Sequence, residues 1–290
     1  MCHVEVDGTT HALPLRGRLF ERKSHEALPV AVGDRVLVRL DDDGGAIEEV
    51  LPRDSQLTRS RHDSSRGQVL AANVSLVLVT AAVAEPPFQP ELVDRILAGA
   101  TRAEIDCVLV LTKIDRDKKG RAEPWIELYR SLGYQVFVTS VAEKKKTEES
   151  LEALRELLHQ NISMLSGASG VGKSSLINTL CPGLDLRVGS VTRIRQGRHM
   201  TTHTQLIPLP GGGYVLDTPG IRNFGLFGVG AQEIQFLFPE IRGLVGECGY
   251  RNCTHAVEPD CAVLAAVESG AIHPQRFESY SVLMQEAEEA

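Results

Sequence analysis

Hydrophobic and polar positions divide the chain into stretches with different periods. Up to about residue 66, short runs alternate apolar and polar residues between turn signals such as Asp7-Gly8 and Gly33-Asp34. This alternation is typical of half-buried strands, so we expect an all-β domain over residues 1–66. A small barrel of the OB type is the most economical architecture. Such barrels often bind nucleic acid, and a purely structural role is the alternative, because a fold alone does not establish a function.

The segment Arg53–Gly67 is polar and shows no periodicity. We expect it to be a linker or an exposed loop. It contains four arginines and two aspartates. A solvated linker and an RNA-contacting loop are both compatible with that composition.

From residue 68 the pattern changes to apolar runs that alternate with amphipathic segments. Residues 68–83, 106–115 and 134–141 contain runs typical of strands buried on both faces of a parallel sheet. Residues 89–104, 124–133 and 147–159 have the spacing of amphipathic helices. We therefore expect an α/β domain over residues 67–222, with its binding residues at the carboxyl ends of the strands.

A phosphate-loop motif, G-x-x-x-x-G-K-[ST], follows the short apolar run 161–165 and precedes the helical run 174–180. Backbone N–H groups of such a loop form a nest for phosphates, and its lysine and serine contact phosphate and Mg²⁺ respectively. The predicted nucleotide-binding residues here are Gly167, Ala168, Ser169, Gly170, Val171, Gly172, Lys173, Ser174 and Ser175, with Ser174 as the Mg²⁺ ligand.

The sequence Thr112-Lys113-Ile114-Asp115 comes where a predicted strand ends, and it resembles the [NT]-K-x-D motif of GTPases. The Asp115 carboxylate can accept two hydrogen bonds from guanine, whereas adenine offers no such pair of donors. Lys113 would pack on the base. Ser140, after the next strand, takes the place of the loop whose backbone contacts guanine O6, although Val141 replaces the usual alanine.

The segment after the phosphate loop contains candidate switches. Asp217–Gly220 matches D-x-x-G, in which the aspartate holds a Mg²⁺-bound water and the glycine N–H contacts the γ-phosphate. Thr201 and Thr202 are both candidates for the second Mg²⁺ ligand. Four arginines and no acidic residue lie between Asp185 and Asp217, which offers a local RNA-facing patch.

The residue that orients the attacking water is not a glutamine here. In Ras-like GTPases a glutamine follows D-x-x-G, but that position is Ile221. His199 is the nearest polar substitute and could orient or deprotonate water, although a lone histidine is as often structural. Slow intrinsic hydrolysis, accelerated by a partner, is the expected consequence.

The motifs run in the order base motif, phosphate loop, switches, whereas ordinary GTPases begin with the phosphate loop. A circular permutation preserves the three-dimensional site under this order. The join would lie near residues 150–161, in the helix that leads to the phosphate-loop strand.

The C-terminal segment, residues 223–290, contains a C-x₄-C-x-H-x₅-C pattern. Three thiolates and an imidazole within so short a segment suit one closed, structural Zn²⁺ site, and a small helical domain would depend on that metal for its fold. The predicted ligands are Cys248, Cys253, His255 and Cys261. The other three cysteines are expected to be ordinary thiols.

Composition narrows the class of protein. Hydrophobic residues make up 42% and charged residues 24%, as in soluble globular proteins, and no apolar run reaches the roughly 20 residues that span a bilayer. The first residues lack a signal-peptide pattern, so we expect a cytoplasmic protein with no membrane partner. We also expect a monomer. The net charge of −7 argues mildly against bulk attraction to nucleic acid.

Together, the predicted barrel, the permuted motifs and the Cys-Cys-His-Cys segment resemble the bacterial small-ribosomal-subunit-dependent GTPase A (RsgA) family. The resemblance implies hydrolysis of GTP to GDP, stimulated by the 30S subunit, and a role in its late maturation through contacts with 16S rRNA. It also implies that His199 is the switch histidine. Three threonines often follow that histidine in the family, whereas Met200 takes the first of those places here.

Two other functions are compatible with parts of the sequence. Ile221 would suit a GTP-gated RNA-binding module with little hydrolysis of its own. The phosphate loop alone would suit an ATPase or a nucleotide kinase, which Asp115 disfavours.

Overall fold

The computed structural model describes residues 1–17, 19, 30–41, 44–61, 64–184, 205–217, 226 and 228–289. The chain forms two compact units, Met1–Val74 and Ser75–Ala290. This boundary falls after the predicted end of the first domain at residue 66. The predicted separation at residue 222 is not seen as a boundary between compact units, so the division into three domains stays a prediction.

The first unit is built from antiparallel hairpins. Its described strands pair as β1 with β2, β3 with β4 and β5 with β6. Asp7 and Gly8 both have positive φ, which is the turn that matches the twist of a two-residue hairpin. The strands are β1 (Cys2–Val6), β2 (Thr9–Leu13), β3 (Val36–Asp41), β4 (Gly44–Val50), β5 (Gln56–Arg61) and β6 (Ser64–Ala72).

The hairpins meet at two isolated bridges, Leu15 with Ile47 and Val32 with Ala71. Leu13, Leu19 and Ile47 form a small apolar core, and Ile47 is completely buried. Among the described residues no strand joins the three hairpins into one sheet. The closed OB-type barrel therefore stays a prediction.

The prediction that residues 53–67 form a linker or an exposed loop is wrong. Most of it belongs to the β5–β6 hairpin, whose second strand continues to Ala72. Backbone hydrogen bonds hold such a ladder together, and polar side chains on it leave no apolar period in the sequence.

The second unit contains a six-stranded sheet in the order β11-β12-β10-β7-β8-β9. All neighbouring pairs are parallel except β11 with β12. Every residue of β7 is buried, as its continuous apolar run predicts. The strands are β7 (Leu76–Ala82), β8 (Asp106–Thr112), β9 (Gln135–Val138), β10 (Ile162–Ser166), β11 (Gln205–Pro208) and β12 (Tyr214–Asp217).

Four helices connect the parallel strands or follow them. Three lie where the amphipathic pattern predicts a helix, and the fourth follows the phosphate loop, as expected for residues 174–180. They pack leucines such as Leu151, Leu154 and Leu176 against strand residues such as Leu78 and Val110. The helices are α1 (Pro90–Arg102), α2 (Glu123–Ser131), α3 (Glu148–His159) and α4 (Lys173–Leu180).

The C-terminal part of this unit is helical, with a core that includes Phe238, Ile241, Val263 and Tyr280. Its helices are α5 (Ala231–Ile234), α6 (Pro239–Arg242), α7 (Ala262–Glu268) and α8 (Pro274–Glu289), and a 3₁₀ turn, Gln235–Leu237, follows α5. None of the helices in the described ranges is long and apolar enough to cross a membrane.

A buried ion cluster connects α8 to α1. The guanidinium of Arg276 donates to Asp94 Oδ1 and to Glu240 Oε1, at 2.6 Å in each case. Tyr129 donates to the same Asp94 oxygen at 2.7 Å. Burial raises the pKa of Asp94, and the positive charge of Arg276 opposes that shift. Removing one partner of such a buried pair leaves the other charge uncompensated, which lowers the free energy of unfolding by about 3–5 kcal/mol.

Candidate nucleotide site and metal cluster

The phosphate loop lies between β10 and α4, as the sequence predicts. Gly167 has φ of 152°, and a Cβ at this position would lie 1.9 Å from the carbonyl oxygen of Thr80. Gly170 and Gly172 also have positive φ, and Gly172 directly precedes the first turn of α4. Glycine is therefore required both for the shape of the loop and for its close approach to β7.

Lys173 begins α4 and folds back over the loop. Its ammonium donates to the carbonyl oxygens of Gly167 and Ala168, at 3.0 and 2.7 Å. Ser174 is buried beside it. A bound phosphate would offer the ammonium stronger, charged acceptors, so this side chain is positioned to exchange its partners on nucleotide binding.

The base motif is joined directly to the phosphate loop. The Thr112 hydroxyl donates to the carbonyl oxygen of Val171 at 2.5 Å. Lys113, in the left-handed region with φ of 59°, donates to the carbonyl oxygen of Gly170 at 2.7 Å and to that of Glu85. Desolvation and the neighbouring Arg116 lower the pKa of Lys113. The two motifs, far apart in sequence, thus form one site.

Asp115 is held by a side chain from the next loop. The Ser140 hydroxyl donates to Asp115 Oδ1 at 2.5 Å and accepts from the backbone N–H of Glu143 at 2.9 Å. The backbone N–H of Ser140 donates to the Thr147 hydroxyl at 3.2 Å. In this structure the side chain of Ser140 therefore positions the carboxylate, while the N–H expected to face guanine O6 has a partner within the protein.

Of the predicted switch residues, the structure describes the backbone of Asp217 alone. Asp217 ends β12, which pairs with the phosphate-loop strand β10 through Leu216 and Met164. The carboxyl ends of these two parallel strands therefore lie side by side, where D-x-x-G is needed. His199, Thr201, Thr202 and Gly220 lie outside the described residues.

The four predicted metal ligands converge in the C-terminal part. Their donor atoms all lie within 4.8 Å of one another, and three of the four residues are buried. Cys248 Sγ lies 3.9 Å from Cys261 Sγ and 3.5 Å from His255 Nδ1, and Nδ1 lies 3.4 Å from Cys261 Sγ. Tetrahedral zinc bond lengths imply donor separations of about 3.8 Å between sulfurs and about 3.5 Å between sulfur and nitrogen. The donor set fits a zinc ion.

Neighbouring groups orient these donors. His255 Nε2 lies 3.0 Å from Gln235 Oε1, an acceptor, so Nε2 carries the proton and Nδ1 is left for the metal. The Leu264 N–H donates to Cys261 Sγ at 3.4 Å, at the start of α7. Glu258 accepts the Thr254 hydroxyl at 2.6 Å and backbone N–H groups of the turn that contains His255, and these hydrogen bonds lower the pKa of Glu258 to about 2.

Sequence reasoning missed the roles of Gln235, Glu85 and Thr147. Gln235 lies 20 residues before its histidine partner. Glu85 contributes a carbonyl oxygen, which any residue could offer. The Thr147 hydroxyl accepts the backbone N–H of Ser140 and makes no capping hydrogen bond to α3. None of these contacts has a local sequence signal.

A family model described as RsgA GTPase matches residues 50–227. The small ribosomal subunit biogenesis GTPase RsgA of Gemmatimonas aurantiaca is 41% identical over 284 residues, which cover 96% of this chain and 91% of that protein. The chain belongs to the RsgA GTPase family. It is accordingly a GTP-hydrolysing enzyme. The RsgA of Chlorobaculum parvum is 40% identical over 90% of this chain and 86% of that protein.

Two solved structures extend the likeness to the fold. YjeQ from Thermotoga maritima matches with a TM-score of 0.78 and 33% identity, over 97% of this chain and 91% of that one. YloQ, described as a circularly permuted GTPase, matches with a TM-score of 0.72 and 28% identity, over 97% of this chain and 87% of that one. The permuted motif order predicted for this RsgA-family chain is thereby confirmed.

Proposed function

We propose that this chain hydrolyses GTP to GDP and phosphate in the late maturation of the small ribosomal subunit, and that this subunit stimulates the reaction. The observation that carries the proposal is the set of hydrogen bonds joining the Thr112–Asp115 motif to the phosphate loop. These bonds bring the predicted base motif and the phosphate loop together, in a chain whose relatives are named for small-subunit biogenesis.

In this proposal the guanine edge is read by Asp115, which Ser140 orients, while Lys113 packs on the base. The phosphates lie in the nest of N–H groups at the start of α4, where backbone dipoles favour negative charge. Lys173 moves from its own loop carbonyls to the β- and γ-phosphates. The nucleotide-binding set comprises Thr112, Lys113, Asp115, Ser140, residues 167–175, Asp217 and Gly220.

Magnesium accompanies GTP. Ser174 and one of Thr201 and Thr202 would ligate it, and Asp217 would hold one of its water molecules. When bound, the cation would neutralise negative charge on the phosphates. His199 orients the attacking water, a task that Ile221 cannot perform.

The Cys₃His cluster holds one structural zinc ion through Cys248, Cys253, His255 and Cys261. The support is the donor spacing together with the Gln235 contact, which selects the tautomer that a metal requires. When bound, the ion ties the turn that contains Cys253 and His255 to the start of α7.

The remaining parts of the proposal concern partners. The N-terminal hairpins form an OB-type barrel that, with the C-terminal helical part, contacts 16S rRNA. The chain acts as a monomer in the cytoplasm, where small subunits mature. The family membership and the relatives' printed names support these assignments.

Single-turnover GTP hydrolysis measured with and without purified small subunits tests the proposal. We expect a clear rate increase on addition of subunits, and its loss in His199→Ala. His159→Ala, at the end of α3, is the matched control and should keep the increase. A wild-type rate that does not change with added subunits would exclude the proposed stimulation.

Nucleotide specificity has its own test. In competition between GTP and ATP, Asp115→Asn should lose its preference for GTP. A carboxylate accepts one guanine N–H group on each of its two oxygens, whereas a carboxamide has one acceptor oxygen and a donating NH₂ group in place of the other. Unchanged preference would show that another residue reads the base.

A further inference from the structure

Two basic loops adjoin the guanine-recognition residues. One follows β8 and the other is a 3₁₀ turn, Lys144–Thr147, that follows β9. We call their exposed cations the basic rim: Arg116, Lys118, Lys119, Arg121, Lys144, Lys145 and Lys146. Strands β8 and β9 are parallel neighbours, and the Ile114 N–H donates to the Thr139 carbonyl at 3.3 Å. Both loops therefore emerge at the same edge of the sheet, next to each other.

Most of the rim's positive charge is not neutralised within the chain. Arg116 pairs with Glu85, and Lys146 pairs with Glu143 at 2.8 Å. Exposed pairs of this kind contribute little and are readily exchanged. Among the residues that the structure describes, four rim lysines have no ion-pair partner: Lys118, Lys119, Lys144 and Lys145.

The nearby acidic groups are engaged elsewhere. The Asp117 carboxylate accepts the backbone N–H groups of Arg121 and Ala122, at 2.9 and 2.8 Å. The following glutamates lie in the first turns of α2 and α3, where the helix dipole stabilises negative charge. The rim is thus a local positive surface on a chain whose net charge is −7.

The composition of the rim favours one class of partner. Residues 116–121 and 143–147 contain no apolar or aromatic side chain. Protein interfaces rely on such side chains as buried anchors and are depleted in lysine. Mobile ammonium groups distributed over two loops instead suit a row of phosphates, which they bind as point charges.

We infer that the basic rim is a docking surface for the phosphate backbone of RNA. The inference rests on the proposed function, in which the partner is a particle that contains ribosomal RNA. Asp115 and Ser140 begin the same two loops, so RNA on the rim lies beside the guanine pocket. Among the described residues, no side-chain hydrogen bond or ion pair joins these four lysines to Asp115 or Ser140, so nucleotide binding should not need them.

The test measures the affinity for purified small subunits, and for protein-free small-subunit RNA, at several salt concentrations. The four lysines Lys118, Lys119, Lys144 and Lys145 are replaced together by alanine. In a plot of the logarithm of the association constant against the logarithm of the salt concentration, the negative slope should become shallower by about 3. The affinity should fall by roughly tenfold or more at 0.1 M salt. GTP affinity and intrinsic hydrolysis of the variant are measured as well, and wild-type values would show that its fold is intact.

A charge-matched control separates the rim from net charge. Arg102 and Arg130 lie in the last turns of α1 and α2, at the other edge of the sheet, and are exposed. The double variant Arg102→Ala/Arg130→Ala should keep the wild-type salt dependence, whereas Lys118→Ala/Lys145→Ala should make the slope shallower. Equal effects of the two pairs would overturn the inference, because net charge alone would then explain the loss.

The outcomes also separate the inference from the proposed function. If the wild-type chain neither binds nor responds to small subunits, the proposed function fails. If it binds, and the quadruple variant binds with unchanged affinity and slope, the rim is not the docking surface. A loss seen with intact subunits but not with protein-free RNA would make the partner a ribosomal protein and overturn the inference.

Discussion

The metal cluster and the phosphate loop prepare for their ligands in different ways. In the cluster, donor atoms from four side chains already lie at ligand spacing, and Gln235 and the Leu264 N–H orient two of them. In the phosphate loop three glycines with positive φ set the backbone, and the Lys173 ammonium is bonded to the loop's own carbonyls. The first site is assembled by side chains and the second by backbone.

Because of this difference, the metal cluster should affect the stability of the fold, whereas the phosphate-loop lysine should affect the affinity for nucleotide. Bringing three sulfurs and an imidazole together without a cation buries polar groups that water would otherwise solvate, so the metal and the C-terminal fold should depend on each other. The phosphate loop is held by glycine conformation and by contacts with β7 and β8. Changing its lysine should therefore alter nucleotide affinity and leave the fold intact.

The largest expected effect is loss of the metal. Cys253→Ala should lose the stoichiometric zinc and lower the midpoint of thermal unfolding, because apparent zinc-binding free energies of about 10–16 kcal/mol are folding free energy in small domains. Metal analysis and calorimetry measure both. Cys107→Ala, outside the cluster, should keep its zinc. A full equivalent of zinc in Cys253→Ala would contradict the assignment.

Next in size is Lys173→Ala. Loss of its charge-assisted hydrogen bonds should weaken GTP binding by about 3 kcal/mol, roughly 100-fold, in titration calorimetry. The unfolding midpoint without nucleotide should stay close to wild type. Arg102→Ala serves as the control for removing one positive charge. A large drop in the stability of the nucleotide-free variant would break the contrast between the two sites.

Gln235→Leu should have an intermediate effect on the metal cluster. Removing a group that orients a ligating histidine lowers metal affinity by about 10–100-fold. Competition with a chelator measures the affinity, and the absorption of a Co²⁺-substituted sample reports the geometry. Gln232→Leu, exposed in α5, is the matched control. Equal metal affinities in the two variants would show that Gln235 does not orient His255.

The smallest expected effect is that of Ser140→Ala. One hydrogen bond to the Asp115 carboxylate would be lost, which should weaken GTP binding by about 1 kcal/mol, roughly fivefold. ATP binding, which does not use that carboxylate, should change less. Ser131→Ala, exposed at the end of α2, controls for removal of a hydroxyl. Equal losses for GTP and ATP would show that Ser140 acts on the fold and not on base recognition.

Much of the second unit could be predicted because its elements have strong periods. The buried run of β7 and the amphipathic pattern of α1 both match the structure. The β5–β6 hairpin was missed because residues 58–68 are all polar or glycine, so only backbone pairing distinguishes this part from a loop. The cluster of Arg276, Asp94 and Glu240 was missed because its members are far apart in sequence and look like surface charges.

The sequence by itself determined which chemical groups are present and at what local spacing. The phosphate loop, the Thr112–Asp115 motif and the Cys₃His pattern can be read from it because each requires particular residue types within a few positions. Only the tertiary structure decided that Thr112 and Lys113 bond to the phosphate loop, that the Ser140 side chain holds Asp115, and that Gln235 faces His255. These contacts join residues that are distant in the chain, and their partners are backbone carbonyls or ordinary polar groups that carry no signal until the sheet and helices bring them together.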